Sequence, residues 1–412
     1  MKKIWLFIFF VLFEIIFVLI LTLNNNKPGQ SASKETDPFS GMVTEQKELI
    51  PGINKIRDII IYEDTMFYSA FPSAVRSPEG EIIVAFRRAP NRKIFGEAGN
   101  SHVDPNSYMV LVRSAVGVNW SKEPELIYAH PFGGSQDPCL IQLSNGTLLC
   151  TSYGWAFVRP DGMNNLKTPY FDAGNGVIFL GGYLVRSSDG GKKWQEVEYP
   201  PHIEPEINFN VFGQSLPAYN RGALCEGKNG EIFWAVAATD SPGKTSVHLI
   251  KSNDKGLTWD YSCPIAADDT VTFNETSVYE TPNGDIVAFL RTARFEDQAC
   301  IARSKDRGKS FEKWVSMGFQ GHPLNALRLP DNRVLLTYGY RHIPFGIRAR
   351  ILNAECNDFT TAPEIILRED GGNSDLGYTW PVMLDNNHVL VTYYFNKENG
   401  TRHIAGTILE IK

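Results

Sequence analysis

One position of a repeated pattern carries residues that could do chemistry in this 412-residue chain. The pattern is a pair of apolar runs around a turn rich in Asn, Gly or Asp, and each copy predicts a β-hairpin. It occurs six times, with the turns marked by Gly80, Gly146, Gly230, Gly284, Asn332 and Asn387. Nine residues before these markers stand Phe71, Asp137, Arg221, Glu275, Pro323 and Tyr378. Residues far from the turn share one end of a hairpin, so we expect the polar ones to face one mouth.

The same counting places further polar residues at that mouth. Seven residues after the markers stand Arg87, Tyr153, Ala237, Arg291, Gly339 and Tyr394. The loop that follows contains His102 and Asp104 in the first copy and Arg341 in the fifth, with Arg348 at the start of the next strand. Guanidinium groups bind carboxylates in a bidentate fashion, so this set suits an anionic or heavily hydroxylated ligand. Two of these residues also have a structural interpretation: Asp137 could cap its strand, and Arg221 could pair with Asp137 or Glu275.

A second repeat completes the sheets between the hairpins. Its copies SSDGGKKW, SNDKGLTW and SKDRGKSF, at Ser187, Ser252 and Ser304, share the pattern Ser-x-Asp-x-Gly-x-x-aromatic. In such a box the Asp accepts backbone N–H bonds across a tight turn and the Gly adopts a positive φ. A hairpin, a strand, a box turn and a strand make a four-stranded antiparallel sheet. Six such sheets predict an all-β, six-bladed β-propeller.

Composition and the N-terminus limit the location and the partners. Lys2 and Lys3 precede an apolar run from Ile4 to Leu23, which is long enough to span a bilayer. We therefore expect a signal-anchor, or else a cleaved signal peptide, over residues 1–26, a polar stalk over 27–56 and an exported propeller over 57–412. A net charge of −6 without a basic run in the folded part argues against nucleic acid. The six cysteines form no CxxC pair, so we expect no metal site, and we expect no cofactor.

The box repeats resemble those of the sialidase (neuraminidase) superfamily of six-bladed propellers. That resemblance implies a tyrosine nucleophile at Tyr378, an assisting glutamate at Glu275 and an acid/base at Asp104. It also implies that Arg291 binds the substrate carboxylate together with a third arginine, with Arg341 ahead of Arg348. The family's first arginine is replaced by Ala70, and Arg87, Arg88 or Arg221 could supply a substitute charge.

The expected function is that of an exported exo-glycosidase, which removes a terminal sialic acid or a similar acidic sugar from glycans with retention. Three alternatives remain open at this stage. A non-sialic exo-glycosidase would keep the two carboxylates and lose part of the arginine cluster. A polysaccharide lyase would use a Tyr or His base beside a uronate carboxylate, and a non-catalytic propeller would only bind glycans.

Overall fold

The computed structural model describes Phe39 and residues 47–397 and 400–412. The strands lie in one compact unit, Glu45–Lys412. The predicted membrane segment, residues 1–26, and most of the predicted stalk lie outside the described residues. Within the described part of the chain, no helix combines the length and the apolar character needed to cross a membrane.

The described chain forms six antiparallel sheets, which are the blades of a propeller. Two strands, β1 (Lys47–Ile50) and β2 (Ile53–Tyr62), precede the first blade. Blade 1 contains β3 (Phe67–Arg76), β4 (Ile82–Pro90), β5 (Tyr108–Ser114) and β6 (Glu125–Tyr128), and blade 2 contains β7 (Gly134–Ser135), β8 (Cys139–Gln142), β9 (Leu148–Phe157) and β10 (Val177–Ser187). Blade 3 contains β11 (Cys225–Glu226), β12 (Ile232–Ser241), β13 (Lys244–Ser252) and β14 (Asp260–Ala266), and blade 4 contains β15 (Thr272–Glu280), β16 (Ile286–Ala293), β17 (Gln298–Ser304) and β18 (Val315–Gln320). Blade 5 contains β19 (Leu324–Arg328), β20 (Val334–Tyr340), β21 (Gly346–Leu352) and β22 (Glu364–Arg368), and blade 6 contains β23 (Gly377–Met383), β24 (His388–Asn396) and β25 (Arg402–Ile411).

Two short helices lie in loops. A 3₁₀ helix (Arg92–Phe95) follows β4, and α1 (Pro160–Met163) follows β9. The first is relevant to the site, because the loop that it begins carries His102 and Asp104.

The six-bladed, all-β prediction is confirmed, with two local differences. In blade 2, β7 and β8 both pair with β9, so the inner strand is in two pieces, and a bridge between Leu184 and Glu198 marks the outer strand. Blade 6 has the order β1-β2-β25-β24-β23, so N-terminal strands complete the last sheet. These strands begin at Lys47, which is earlier than the predicted start of the propeller at Arg57.

The box turns are structural and lie opposite the predicted mouth. In the third box, the buried Ser304 Oγ accepts a bond from the backbone N of Gly308 at 2.7 Å and donates to Asp306 Oδ1 at 2.8 Å. Ser304 pairs with Ile286, at one end of β16, whereas Arg291 lies toward the other end and pairs with Asn274. Since every backbone partner of Asp306 lies within its own turn, the box carboxylates stabilise turns and do not reach the mouth.

Apolar side chains between neighbouring blades form the core. Blades 3 and 4, for example, bury Phe233, Leu249, Val278, Ile286 and Leu290 against each other. None of the six cysteines, all in the described part of the chain, forms a disulfide. Packed sheets therefore hold the inner strands in place and fix the residues at the mouth.

Candidate active site

Backbone irregularities at the start of the inner strands set the geometry of the mouth. The register of β23 shifts between Gly377 and Trp380, and Tyr378 inside this bulge has a φ of 54°. The register of β3 shifts between Ala70 and Ser73, where Phe71 has a φ of 59°. A left-handed conformation costs a non-glycine residue about 1–3 kcal/mol and is concentrated at functional sites. These two bulges bring the Phe71 and Tyr378 rings together, with centroids 4.7 Å apart.

Tyr378, Glu275 and Arg291 form a row at the mouth, joined by one hydrogen bond and one ion pair. The Tyr378 hydroxyl donates to Glu275 Oε1 at 2.6 Å, although 103 residues separate the two in the chain. Arg291 Nη1 lies 2.7 Å from the other carboxylate oxygen, Oε2. The side chains of Glu275 and Arg291 are 13% and 20% exposed, whereas Tyr378 is only 4% exposed.

The phenol of Tyr378 is protonated in the resting protein. Burial, and then the negative charge of Glu275, raise the pKa of Tyr378 well above its ordinary value, although Arg291 opposes this shift. A phenol of this kind becomes a nucleophile only when a neighbouring base takes its proton during attack. Glu275 Oε1 is placed to take that proton.

Two guanidinium groups flank the Tyr378 ring. The Cζ atoms of Arg221 and Arg341 each lie 5.3 Å from the ring centroid, a distance at which a cation interacts with a π system. Arg221 is buried and donates to the Pro72 carbonyl at 2.8 Å. Arg341 is half-buried and donates to the Tyr394 hydroxyl at 2.9 Å. Both positive charges would stabilise a negative charge on the Tyr378 oxygen.

Asp137 is a buried carboxyl group behind Glu275. The Tyr153 hydroxyl donates to its Oδ2 at 3.1 Å, while its Oδ1 is buried and has no hydrogen-bond partner. Burial, and then the charge of Glu275, raise the pKa of Asp137 to about 6, against the opposing charges of Arg221 and Arg87. The site therefore holds an acidic group that is costly to ionise at neutral pH.

This raised pKa predicts that Asp137→Asn stabilises the protein at high pH. The folded-state pKa lies above the unfolded value, so stability from the protonated form is complete below about pH 4 and is lost as pH rises through about 6. Moving the pKa from 3.8 to about 6 corresponds to about 3 kcal/mol. At about pH 8, we expect the free energy of unfolding of the variant to exceed that of the parent by up to about 3 kcal/mol. Near pH 4 the two free energies should be nearly equal.

Urea unfolding of both proteins at the two pH values measures this difference. The control is Asp269→Asn, because the Asp269 side chain is fully exposed and its removal should change the unfolding free energy little at either pH. A difference between Asp137→Asn and the parent that is the same at both pH values would contradict the prediction.

A cavity of about 210 Å³ opens beside this row. Glu275, Arg221 and Asn274 line it on one side, and the remaining wall is mostly aromatic. The aromatic lining residues are Tyr153, Trp155, Phe171, Phe179 and Tyr219. Apolar rings with a few convergent polar groups are typical of a small-molecule site, and sugars stack on such rings.

A larger cavity of about 380 Å³ lies elsewhere and lacks this chemistry. His130, Phe132 and Phe212 line it, and its wall has no Asp, Glu, Lys or Arg. The cavity beside Glu275 is therefore the better candidate for catalysis, although it is smaller.

The structure does not place three of the predicted residues as expected. Asp104 is paired with Arg92, whose Nε and Nη2 lie 2.7 and 2.8 Å from its two oxygens. Arg87 pairs with Ala70 in register but is fully buried, so its guanidinium does not line the open mouth. Arg348 is buried within blade 5 and donates to the carbonyls of Ile347, Pro344 and Arg368, because it lies on the third strand of the blade.

Sequence reasoning missed Asp375, which lies three residues before Tyr378. Its carboxylate accepts hydrogen bonds from the hydroxyls of Tyr68 at 3.0 Å and Tyr394 at 2.8 Å, and from Arg402 Nε at 2.8 Å. It also binds His102 Nε2 at 2.8 Å. Asp375 is in a loop outside the repeated hairpins, so the register count could not reach it.

In the described part of the chain, no group of three or more His, Cys, Asp or Glu side chains is arranged to hold a metal ion. The mouth presents a phenol, carboxylates, guanidiniums and an imidazole.

Comparisons with known proteins agree with this architecture. The BNR repeat-like domain model matches residues 172–358. A crystal structure of a protein of unknown function from Dyadobacter fermentans is 68% identical, with a TM-score of 0.87, over 88% of this chain and 100% of that one. No curated protein matches the chain.

Sialidases share the fold at low identity. The NanB sialidase of Streptococcus pneumoniae is 14% identical with a TM-score of 0.61, and the match covers 86% of this chain and 70% of NanB. The Trypanosoma rangeli sialidase is 13% identical with a TM-score of 0.60, and the match covers 87% of this chain and 60% of that sialidase. A Hadza microbial sialidase is 17% identical with a TM-score of 0.60, and the match covers 83% of this chain and 65% of that sialidase. The chain thus spans only about two thirds of the length of these sialidases.

The structure is a six-bladed propeller whose fold matches that of sialidases. Within that class, the chain carries a BNR repeat-like domain and belongs to the same family as the Dyadobacter fermentans protein.

Proposed function

We propose that this protein is a retaining exo-glycosidase that releases a terminal sialic acid or a related acidic sugar from glycans. The observation that carries the proposal is the 2.6 Å hydrogen bond from the Tyr378 hydroxyl to Glu275 Oε1. A tyrosine whose pKa is raised is inert alone, and pairing it with a carboxylate creates a neutral nucleophile with its own base.

The reaction has two steps. In the first, the Tyr378 oxygen attacks the anomeric carbon, its proton passes to Glu275, and the bond to the leaving oxygen breaks as that oxygen takes a proton from an acid. In the second, water attacks the same carbon and gives a proton to the group that protonated the leaving oxygen, while the Tyr378 oxygen leaves and recovers its own proton from Glu275. Two inversions at one carbon give net retention.

The charges at the mouth favour an acidic sugar. Arg291 and Arg341 are both partly exposed, and each presents a guanidinium near Tyr378. Guanidiniums bind carboxylates through two parallel hydrogen bonds, and a neutral phenol avoids the repulsion that a carboxylate nucleophile would exert on an anionic sugar. Since Ala70 replaces the first family arginine and Arg87 is buried, the clamp has two exposed members. We therefore expect weaker binding of sialic acid than in a site with three.

The proposal places this reaction outside the cytoplasm. It rests on the sequence of residues 1–26, with lysines ahead of an apolar run, which favours either an uncleaved anchor or a cleaved signal peptide. In both cases the propeller is exported.

Product analysis by NMR tests the proposal. The chain from Lys27 onward is incubated with glycosides of sialic acid, of other 2-keto-3-deoxy sugar acids, of uronic acids and of neutral hexoses. We expect hydrolysis of an acidic glycoside, with the first product having the anomeric configuration of the substrate.

Other results assign the site differently. An unsaturated product would indicate a lyase, and first-formed product of inverted configuration would exclude the tyrosyl intermediate. Binding without turnover would indicate a glycan-binding propeller.

A further inference from the structure

We propose that His102, positioned by Asp375, is the acid/base that protonates the leaving oxygen and later deprotonates water. This inference rests on the proposed function, and it replaces Asp104, which the family resemblance had suggested for the role.

His102 lies at the edge of the mouth, in the loop between the 3₁₀ helix and β5. Its side chain is 44% exposed, and its ring packs edge-on against Phe71 with centroids 5.2 Å apart. The Tyr378 ring packs against the same Phe71 ring, with centroids 4.7 Å apart. The ring centroids of His102 and Tyr378 are therefore at most about 10 Å apart, a span that a single bound glycoside can bridge.

Asp375 fixes the imidazole. Its Oδ1 lies 2.8 Å from His102 Nε2, and Tyr68, Tyr394 and Arg402 hold the carboxylate from its other sides. Burial would raise the pKa of Asp375, but the hydrogen bond and charge of His102, together with the charge of Arg402, hold it well below its usual range. An ionised Asp375 accepts the Nε2–H bond and leaves Nδ1 as the nitrogen that exchanges a proton with substrate.

Asp104 lacks a proton to give. Arg92 binds both of its oxygens, and the backbone N of Asn106 donates to Oδ1 at 2.8 Å. Although burial opposes ionisation, these bonds lower the pKa of Asp104, and the residue is only 3% exposed. A carboxylate that is ionised, buried and doubly bound to a guanidinium is a structural anion.

The proton balance is as follows. In the first step, the protonated His102 ring gives its Nδ1 proton to the leaving oxygen while Glu275 takes the Tyr378 proton. In the second step, neutral His102 takes a proton from the attacking water while Glu275 returns its proton to Tyr378. Each group ends the cycle in its starting state, so the step needs no further reagent.

Leaving-group dependence tests the role of His102. Two substrates share the acidic sugar found by product analysis, but one carries a dinitrophenyl group, which leaves without protonation, and the other an alkyl group, which needs a proton. We expect His102→Ala to lower kcat/KM for the alkyl glycoside by about 10²–10⁴-fold and to change it only a few-fold for the dinitrophenyl glycoside. His102→Ala should nevertheless lower kcat for the dinitrophenyl glycoside, because water then attacks without a general base. Azide should restore that kcat and yield a glycosyl azide, because it needs no general base. Asp375→Asn should show the same selective loss, since a positioning residue acts through His102.

His342→Ala is the matched control. His342 Nε2 forms a similar pair with Asp297 Oδ2 at 3.2 Å, and its side chain is 37% exposed. We expect it to affect both substrates equally.

Three results would overturn the inference. The first is an equal loss on both substrates in His102→Ala, and the second is a selective loss in Asp104→Asn. In both of these cases, if turnover still requires Tyr378, the proposed function stands and only the role of His102 falls. The third is the absence of any Tyr378-dependent turnover by the parent protein, which would remove the proposed function together with the inference.

Discussion

Replacing Tyr378 with phenylalanine should lower kcat on the true substrate by on the order of 10⁴-fold or more, the loss typical of removing a catalytic nucleophile. The change removes only the hydroxyl that donates to Glu275, and the ring retains its contact with Phe71. Glu275→Gln should have a comparable effect, because an amide cannot take the phenolic proton. Steady-state kinetics on the acidic glycoside measure both losses.

Tyr393→Phe separates this loss from a folding defect. Tyr393 is a fully buried tyrosine on β24 of the same blade, and its hydroxyl shares a 2.8 Å hydrogen bond with Thr407. Losing such a bond should cost about 0.5–1.5 kcal/mol of unfolding free energy without lowering kcat. If Tyr378→Phe retained ordinary turnover, the covalent mechanism would be wrong.

Replacing Arg341 with methionine should weaken the use of acidic substrates selectively. Arg341 lies 5.3 Å from the Tyr378 ring and is one of two partly exposed arginines at the mouth. A hydrogen bond to a charged group is worth about 1.5–3 kcal/mol, so we expect kcat/KM for an acidic glycoside to fall by roughly 10- to 100-fold. Arg341→Lys should recover part of this loss, since it keeps the charge but not the planar fork.

Arg350→Met is the control for Arg341. Arg350 is also in blade 5, but its side chain packs over Phe319 and donates to the Tyr338 hydroxyl. The Arg350→Met change should leave the preference for acidic over neutral glycosides unchanged. Equal losses on acidic and neutral glycosides in Arg341→Met would show that this arginine does not bind the substrate carboxylate, and would favour a neutral sugar.

Periodicity was enough to predict the fold and the centre of the site. The turns at Gly80 and Asn332 adopt positive φ, as a hairpin marker should, and equal counting from such markers identified Tyr378, Glu275 and Arg291. These three lie at one face because inner strands begin there and second strands end there. The contact between Tyr378 and Glu275 was predicted from this register together with the family resemblance, without any information on distances.

What the sequence could not supply is the choice of partners within the loops. Asp104 and His102 are two residues apart, and no pattern shows that one binds Arg92 and the other Asp375. Arg87 shares its register position with Arg291, yet Arg87 is fully buried while Arg291 is partly exposed. These outcomes depend on loop conformation and on the bulge at Phe71, which are properties of tertiary packing.

The closure of the ring makes the site the last part of the protein to form during synthesis. Tyr62 pairs with Ile404 and Ile53 with Ile411, so β2 can find its partner only after almost the whole chain has been made. Pairing over such a sequence distance is slow, because the entropy of a long loop is lost before the contact stabilises the chain. Tyr378 belongs to the sheet that this pairing completes, whereas Glu275 and Arg291 belong to a blade made of consecutive strands. A nascent chain can therefore place Glu275 and Arg291 before Tyr378, and we expect it to complete this row only when the ring closes.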